Sequence, residues 1–301
     1  MPSGQQFRIS HGDQTATIVE VGAAVREYRV DGLEVFQSYD EHDVSWGYHG
    51  TVLVPWPNRI RDGRYDFDGE AFQLGLSEPE RCNAMHGLAA WQRWTPISEH
   101  TDTVSLFFRL LPSPGYPFHL DTVVTYTLGD EGLLVETTST NVGDTPCPYG
   151  LGFHPYASTG AAAVVDECSL SVGVARRMIL DERLNPIGDE AVAGTDYDFR
   201  EPRSLAGRVL DDGFGEVIAD DDGRSWARLS RPDGRTVALW ADASFGYWQI
   251  FSGDTLPPEF ARRGVAIEPM TAAPNAFVSG AGLQRLEPGE AVTSSWGATL
   301  R

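Results

Sequence analysis

The sequence predicts an all-β protein, a large antiparallel sandwich or barrel, on three observations. Asp-Gly pairs recur between short alternating segments at Asp31-Gly32, Asp68-Gly69, Asp222-Gly223 and Asp233-Gly234. This dipeptide suits two-residue hairpin turns because both central residues need positive φ. Long β-branched runs flank other turns, and no segment carries a sustained helical period capped at both ends. Many short strands punctuated by turn residues are the pattern of sandwiches and barrels.

Along the chain, Tyr65 and Phe67 precede Asp68-Gly69 while Phe72 and Leu74 follow it, giving each arm of a hairpin one apolar face. Thr122 to Leu128 and Leu133 to Asn141 read as two long strands around Gly129-Asp130-Glu131-Gly132. The stretches 112–117 and 194–202 are loops whose aromatics should dock on the body, and a short helical turn is expected near Pro257 to Arg263. With no internal repeat and no low-complexity linker, residues 1–301 are expected to form one continuous domain.

Composition narrows the partners. The formal net charge is −20, and every Lys-or-Arg position is Arg. Such a field disfavours nucleic acid, anionic membranes and strongly anionic substrates, so a neutral small molecule is expected. No apolar run is long enough to cross a bilayer and the first residues lack a secretory pattern, which points to the cytoplasm. Cys82, Cys147 and Cys168 are odd in number and widely spaced, and no two of the seven histidines form an H-x-H or H-x-x-x-H pair. Neither a disulfide framework nor a zinc site is indicated.

The segment Gly264-Val-Ala-Ile-Glu268-Pro-Met-Thr-Ala-Ala-Pro274 stands out because one carboxylate ends an apolar run and a proline follows at once. Proline removes a ladder donor, so Glu268 is expected at the end of a strand, held rigidly enough for a catalytic base. His154 lies in Gly150-Leu-Gly152-Phe-His154-Pro-Tyr156, between aromatics and next to glycines that open space. Its imidazole exchanges protons near neutrality. In Val54-Pro-Trp-Pro-Asn58-Arg59-Ile60, an irregular proline-rich stretch, Arg59 suits either two neighbouring sugar hydroxyls or a carboxylate partner. His86-Gly87 precedes Trp91 and Trp94, and reads as a structural histidine or as a ligand contact beside a stacking surface. Asp211, in Leu210-Asp-Asp-Gly-Phe214, reads as an Asx turn or as a bidentate acceptor of sugar hydroxyls.

Taken together these motifs resemble the aldose 1-epimerase (galactose mutarotase) family. The resemblance is carried by Asn58-Arg59-Ile60, His86-Gly87, Gly152-Phe-His154-Pro-Tyr156, Asp211 with Phe214, Ile267-Glu268-Pro269 with Pro274, and Leu286-Glu-Pro-Gly-Glu290. It implies a galactose mutarotase-like β-supersandwich that interconverts the anomers of a free aldose such as glucose or galactose without a cofactor or metal. It further implies His154 as general acid, Glu268 as general base, and Arg59, His86 and Asp211 as sugar-binding groups. On that scheme Glu268 should be ionised and His154 protonated near neutral pH. The chain departs from better known members in His86-Gly-Leu-Ala-Ala-Trp91, where those carry further glycines, and so resembles a less characterised bacterial branch.

Two rival functions remain. A hexose 6-phosphate epimerase would need a cationic clamp, for which Arg176-Arg177 or Arg262-Arg263 are candidates; a non-catalytic sugar-binding protein would need only the cleft and its aromatics. Trp91, Trp240 and Trp248 are equally suited to a cleft wall or to the core. The protein is expected to act as a monomer or homodimer.

Overall fold

A computed structural model of the chain describes residues 1–160 and 163–301. Two antiparallel sheets dominate it, one of 12 strands and one of 9. The larger runs in the order Gln6–His11, Gln14–Val19, Val25–Val30, Leu33–Phe36, Tyr156–Ser158, Gly264–Met270, Tyr247–Phe251, Asp211–Val217, Val174–Leu180, Pro186–Ala191. The short strands Val52–Leu53 and Gly152–Phe153 join it beside Gly264–Met270. The second sheet is built around the long hairpin Leu120–Gly129 and Gly132–Asn141, which continues into Ala291–Leu300. In Leu120–Gly129 buried and half-buried residues alternate without a slip, because successive side chains leave opposite faces of a strand.

The core lies between the sheets. Phe36 and Phe153 of the larger sheet meet Trp296 of the smaller one at ring separations of 6.3 and 5.1 Å. Tyr126 of the smaller sheet donates its hydroxyl to the Ala23 carbonyl at 2.6 Å, so the one polar atom it buries has a partner. The loop aromatics dock as expected: Tyr116 is fully buried and donates to the Pro148 carbonyl at 2.8 Å, and Phe199 is fully buried.

Two Asp-Gly pairs form the expected two-residue turns. Asp31 and Gly32 have φ of 49° and 74°, and Asp68 and Gly69 have 53° and 82°. The other two differ, with only the glycine left-handed. There the aspartate carboxylate folds back onto the backbone two residues on, accepting the Arg224 N–H at 2.9 Å from Asp222 and the Arg235 N–H at 3.1 Å from Asp233. That local acceptor supports a longer loop in which aspartate keeps negative φ. The segment after Pro257 makes a single hydrogen-bonded turn of helical type, with Phe260 and Ala261 both donating to the Pro257 carbonyl, and does not extend into a helix.

Candidate active site

Glu268 sits in the interior of the strand Gly264–Met270, all of which is buried, and not at its end. Pairing continues through the proline, with Trp248 opposite Pro269 and Tyr247 opposite Met270. The reason lies on the other edge. Ile267 and Thr271 donate to the carbonyls of Pro155 and Leu151, so by alternation the ring nitrogen of Pro269 faces the same neighbour. That neighbour is itself broken between Gly152–Phe153 and Tyr156–Ser158. The missing donor falls where there is no ladder to feed, and the break is occupied by His154-Pro155.

The break turns the His154 imidazole onto Glu268. Its Nε2 lies 3.3 Å from Glu268 Oε1, and both side chains are almost wholly buried. His154 Nδ1 and Glu268 Oε2 are buried without a hydrogen-bond partner. Behind His154 the Tyr156 ring stacks at 5.0 Å, and His49 stacks on Tyr156 in turn at 5.1 Å.

The other three residues singled out in the sequence converge on the same cleft, a cavity of about 350 Å³. His86 has φ of 59°, and its Nδ1 accepts the Asn58 N–H at 3.2 Å. In a neutral imidazole the proton then resides on Nε2, which makes His86 a hydrogen-bond donor. Gly87 follows with φ of +73°, and a Cβ there would stand 2.2 Å from the Val54 carbonyl oxygen. Glycine thus lets the two backbones close up behind His86.

Arg59 begins a short strand, Arg59–Arg61, paired with Asn83–Met85, rather than projecting from a loop. Its guanidinium is engaged along one edge by Glu78, Nε to Oε2 at 2.9 Å and Nη2 to Oε1 at 3.0 Å, and its Nη2 lies 3.8 Å from Asp211 Oδ2. Arg59 is therefore ion-paired, as the carboxylate reading expected, and it also lines the cleft. Asp211 is the first residue of the strand Asp211–Val217 and not a turn residue. It accepts Gln249 Nε2 at 2.7 Å, and Gln249 pairs in register with Glu268.

Burial decides the protonation. It pushes the Glu268 carboxyl well above its ordinary range, aided by the negative charge of Asp211 and opposed by Arg59. It pushes His154 down to about 3, with His49 and Arg59 adding to the shift. His86 is likewise driven well below the usual histidine range, chiefly by burial. Both shifts run against the ionised-Glu268, protonated-His154 expectation, because loss of water penalises both charges. They favour the uncharged forms, a protonated Glu268 carboxyl beside a neutral His154 imidazole.

One donor atom from each of His86, His154 and Glu268 lies within 4.8 Å of the others, a grouping compact enough for a metal ion. The hydrogen bonding does not fit one. Ligation through His86 Nε2 needs the proton on Nδ1, where the Asn58 N–H already points.

Sequence reasoning missed Glu78, Gln249 and Tyr48. Tyr48 packs 4.5 Å from the His86 ring and holds φ of 56°; with Asn58, His86 and Leu184 it makes four left-handed, non-glycine residues lining the cleft. Such conformations collect at functional sites. Of the tryptophans, Trp91 packs on the outside of Tyr48 at 5.1 Å, Trp248 is fully buried, and Trp240 sits in the smaller sheet beneath Arg224. None of the candidate phosphate-clamp arginines lines the cleft, although Arg262 pairs with Asp254 at its rim. Arg176 pairs with Asp189, Arg177 with Asp212 and Glu190, and Arg262 with Asp166 and Asp254.

Fold and cleft together define a β-sandwich protein with a buried histidine–glutamate pair in a pocket of monosaccharide size. The chain belongs to the aldose 1-epimerase family, whose model matches residues 5–298. It is similar to protein YihR of Escherichia coli K12, 37% identical over 293 residues, covering 96% of this chain and 91% of that one. It is also similar to the aldose 1-epimerase of the same organism, 26% identical over 269 residues, 80% of this chain and 74% of the other. Among solved structures, the GalM/aldose epimerase homologue of Caenorhabditis elegans superposes with a TM-score of 0.86 at 20% identity, covering 99% and 98% of the two chains. Family membership makes the protein an isomerase acting on carbohydrates. No helix among the described residues is long and apolar enough to cross a membrane.

Proposed function

We propose that the cleft interconverts the α and β anomers of a free, uncharged aldohexose such as glucose or galactose, with His154 and Glu268 as its acid–base pair. The observation that carries this reading is the buried 3.3 Å contact between His154 Nε2 and Glu268 Oε1. Ring opening takes a proton from O1 and gives one to the ring oxygen as the C1–O bond breaks; rotation about C1–C2 and the reverse transfers close the other anomer. A pair that holds one proton supplies both partners. On binding, sugar hydroxyls donate to Glu268 and replace the lost water, and its proton passes to His154, which delivers it to the ring oxygen while Glu268 takes the proton of O1. His86 donates to a sugar oxygen, Asp211 accepts from hydroxyls, and Arg59 offers the guanidinium hydrogens that Glu78 leaves free.

The charge balance supports an uncharged sugar. Arg59 and Arg81, which line the cleft, both already face Glu78, at 2.9 and 3.0 Å. The test follows fresh α-D-glucose and α-D-galactose by polarimetry or NMR. Wild-type acceleration should fall about 10²–10⁴-fold in Glu268→Gln and in His154→Asn. Full activity in either variant refutes the pair. Acceleration of glucose 6-phosphate in preference to glucose refutes the uncharged substrate, and saturable binding without acceleration points to a sugar-binding protein.

A further inference from the structure

Glu78 is nearly as buried as the reacting pair, yet no step of the proposed chemistry uses it. It lies just ahead of the one-turn segment Pro79–Arg81, and four donors meet its carboxylate. Two come from Arg59; Asn83 Nδ2 donates at 2.8 Å and Arg81 Nη1 at 3.0 Å. Fixing an arginine this firmly inside a cleft has an electrostatic consequence. The Arg59 charge lies close enough to the reacting groups to draw Glu268 down and to depress His154 and His86 further. Left uncompensated at low dielectric, it would empty the pair of its proton at a lower pH.

We infer that Glu78 is a positioning residue for the reacting pair: it clamps the Nε–Nη2 edge of Arg59 and offsets its charge, so that Arg59 meets sugar oxygens through its free Nη1 side without stripping the proton that His154 and Glu268 share. The inference rests on the anomerase reading above. The remaining charges around the pair do not substitute for Glu78. Asp211, on the neighbouring strand, touches Arg59 at 3.8 Å and is half-exposed; Asp254, at the rim, is spent on Arg262. Behind Glu78, Arg81 also faces Glu80 at 3.8 Å, so the cation on that side is partly matched.

An ordinary structural ion pair would lower activity without moving its pH dependence, so the pH profile of kcat/KM separates the two accounts. In Glu78→Gln the amide keeps one acceptor oxygen, turns an NH2 toward former donors and loses the charge, and both limbs should move to lower pH by about half a unit or more. In Glu78→Asp the charge remains on a shorter arm, so kcat/KM should fall while the limbs stay in place. Arg59→Met, which removes the cation and leaves Glu78, should move the limbs upward. Superimposable limbs in Glu78→Gln and wild type overturn the inference, as does a displaced limb in Glu78→Asp. If Glu78→Gln fails to fold, Glu78→Asp and Arg59→Met decide alone, with unmoved limbs in Arg59→Met as the refuting result. An inactive wild type refutes the anomerase reading instead, so the two failures are distinct.

Discussion

His49 offers a quantitative test of the burial on which the site depends. Its ring is completely buried among Trp46, Tyr39 and Tyr156, and neither nitrogen has a hydrogen-bond partner. Burial depresses it to about 4 from an ordinary 6.5. A histidine whose folded pKa is depressed stabilises the fold above its unfolded pKa, and that stability is lost as pH falls through the window between the two values. At pH 5 the unfolded imidazole is almost fully protonated while about one folded molecule in ten is. With about 1.4 kcal/mol per unit and about one and a half units of difference, the loss between pH 7.5 and 5.0 is about 2 kcal/mol. His49→Phe keeps an aromatic ring in the cage and removes this contribution. Any overpacking by the larger ring acts at both pH values and cancels in the comparison. Urea unfolding should therefore show wild type losing about 2 kcal/mol more than the variant on acidification, a midpoint difference of about 0.7 M for a slope near 3 kcal/mol/M. Equal losses in both proteins refute the reasoning: the other titrating groups are common to them, and His154, which the His49 charge helps to lower, is held down chiefly by burial.

Three further outcomes follow from the same structure. Glu268 has a folded pKa raised by burial, so its contribution to stability is present below the unfolded carboxyl pKa and declines as pH rises toward the folded value; Glu268→Gln should be at least as stable as wild type at pH 8 in a thermal melt, despite its loss of activity. Asp211→Ala should raise KM by about ten-fold or more with a smaller change in kcat, and Gln249→Leu, which frees the Asp211 carboxylate from its 2.7 Å bond, should reproduce part of that effect in steady-state kinetics. Gly87→Ala places a Cβ against the Val54 carbonyl at positive φ and should cost about 2 kcal/mol or more by denaturant unfolding, with impaired anomerisation because His86 is displaced.

What the sequence made legible was local. The hairpins at Asp31-Gly32 and Asp68-Gly69 formed as read because both turn residues and both apolar faces lie within a few positions of each other. All five candidate residues, Arg59, His86, His154, Asp211 and Glu268, line one cleft. What failed depended on distant chain. Pro269 reads as a strand stop until the break at His154-Pro155, far away in sequence, is laid beside it. Asp211 reads as a turn residue until Phe251 pairs opposite it. The direction in which burial pushes Glu268 and His154 was illegible for the same reason: pKa values near the model compounds assume water, and complete burial is a property of the assembled sheets. Glu78 carried a weak signal, a carboxylate before Pro79 and Asn83, but nothing nearby ties it to Arg59.

These burial shifts also bear on how such a site could run in both directions. An isolated imidazolium–carboxylate pair in water is a deep resting state, because solvent rewards the separation of charge. Inside the sheet that reward is withdrawn, and burial raises the carboxyl while it lowers the imidazole. Both shifts favour the arrangement with the proton on Glu268 over the charge-separated one, and hydrogen-bond donors brought into the cleft would narrow the difference. Anomer interconversion is close to thermoneutral and has no preferred direction, so an acid–base pair serves it best when neither member holds the proton tightly. Arg59 alone would tilt that balance, since a buried cation favours the fully deprotonated pair. Glu78 and Asp211 sit against the same guanidinium, at 2.9 and 3.8 Å, and oppose the tilt. The sugar-binding groups and the proton balance are in this view a single electrostatic unit, and substitutions at Glu78, Arg59 and Asp211 should be strongly non-additive in kcat/KM.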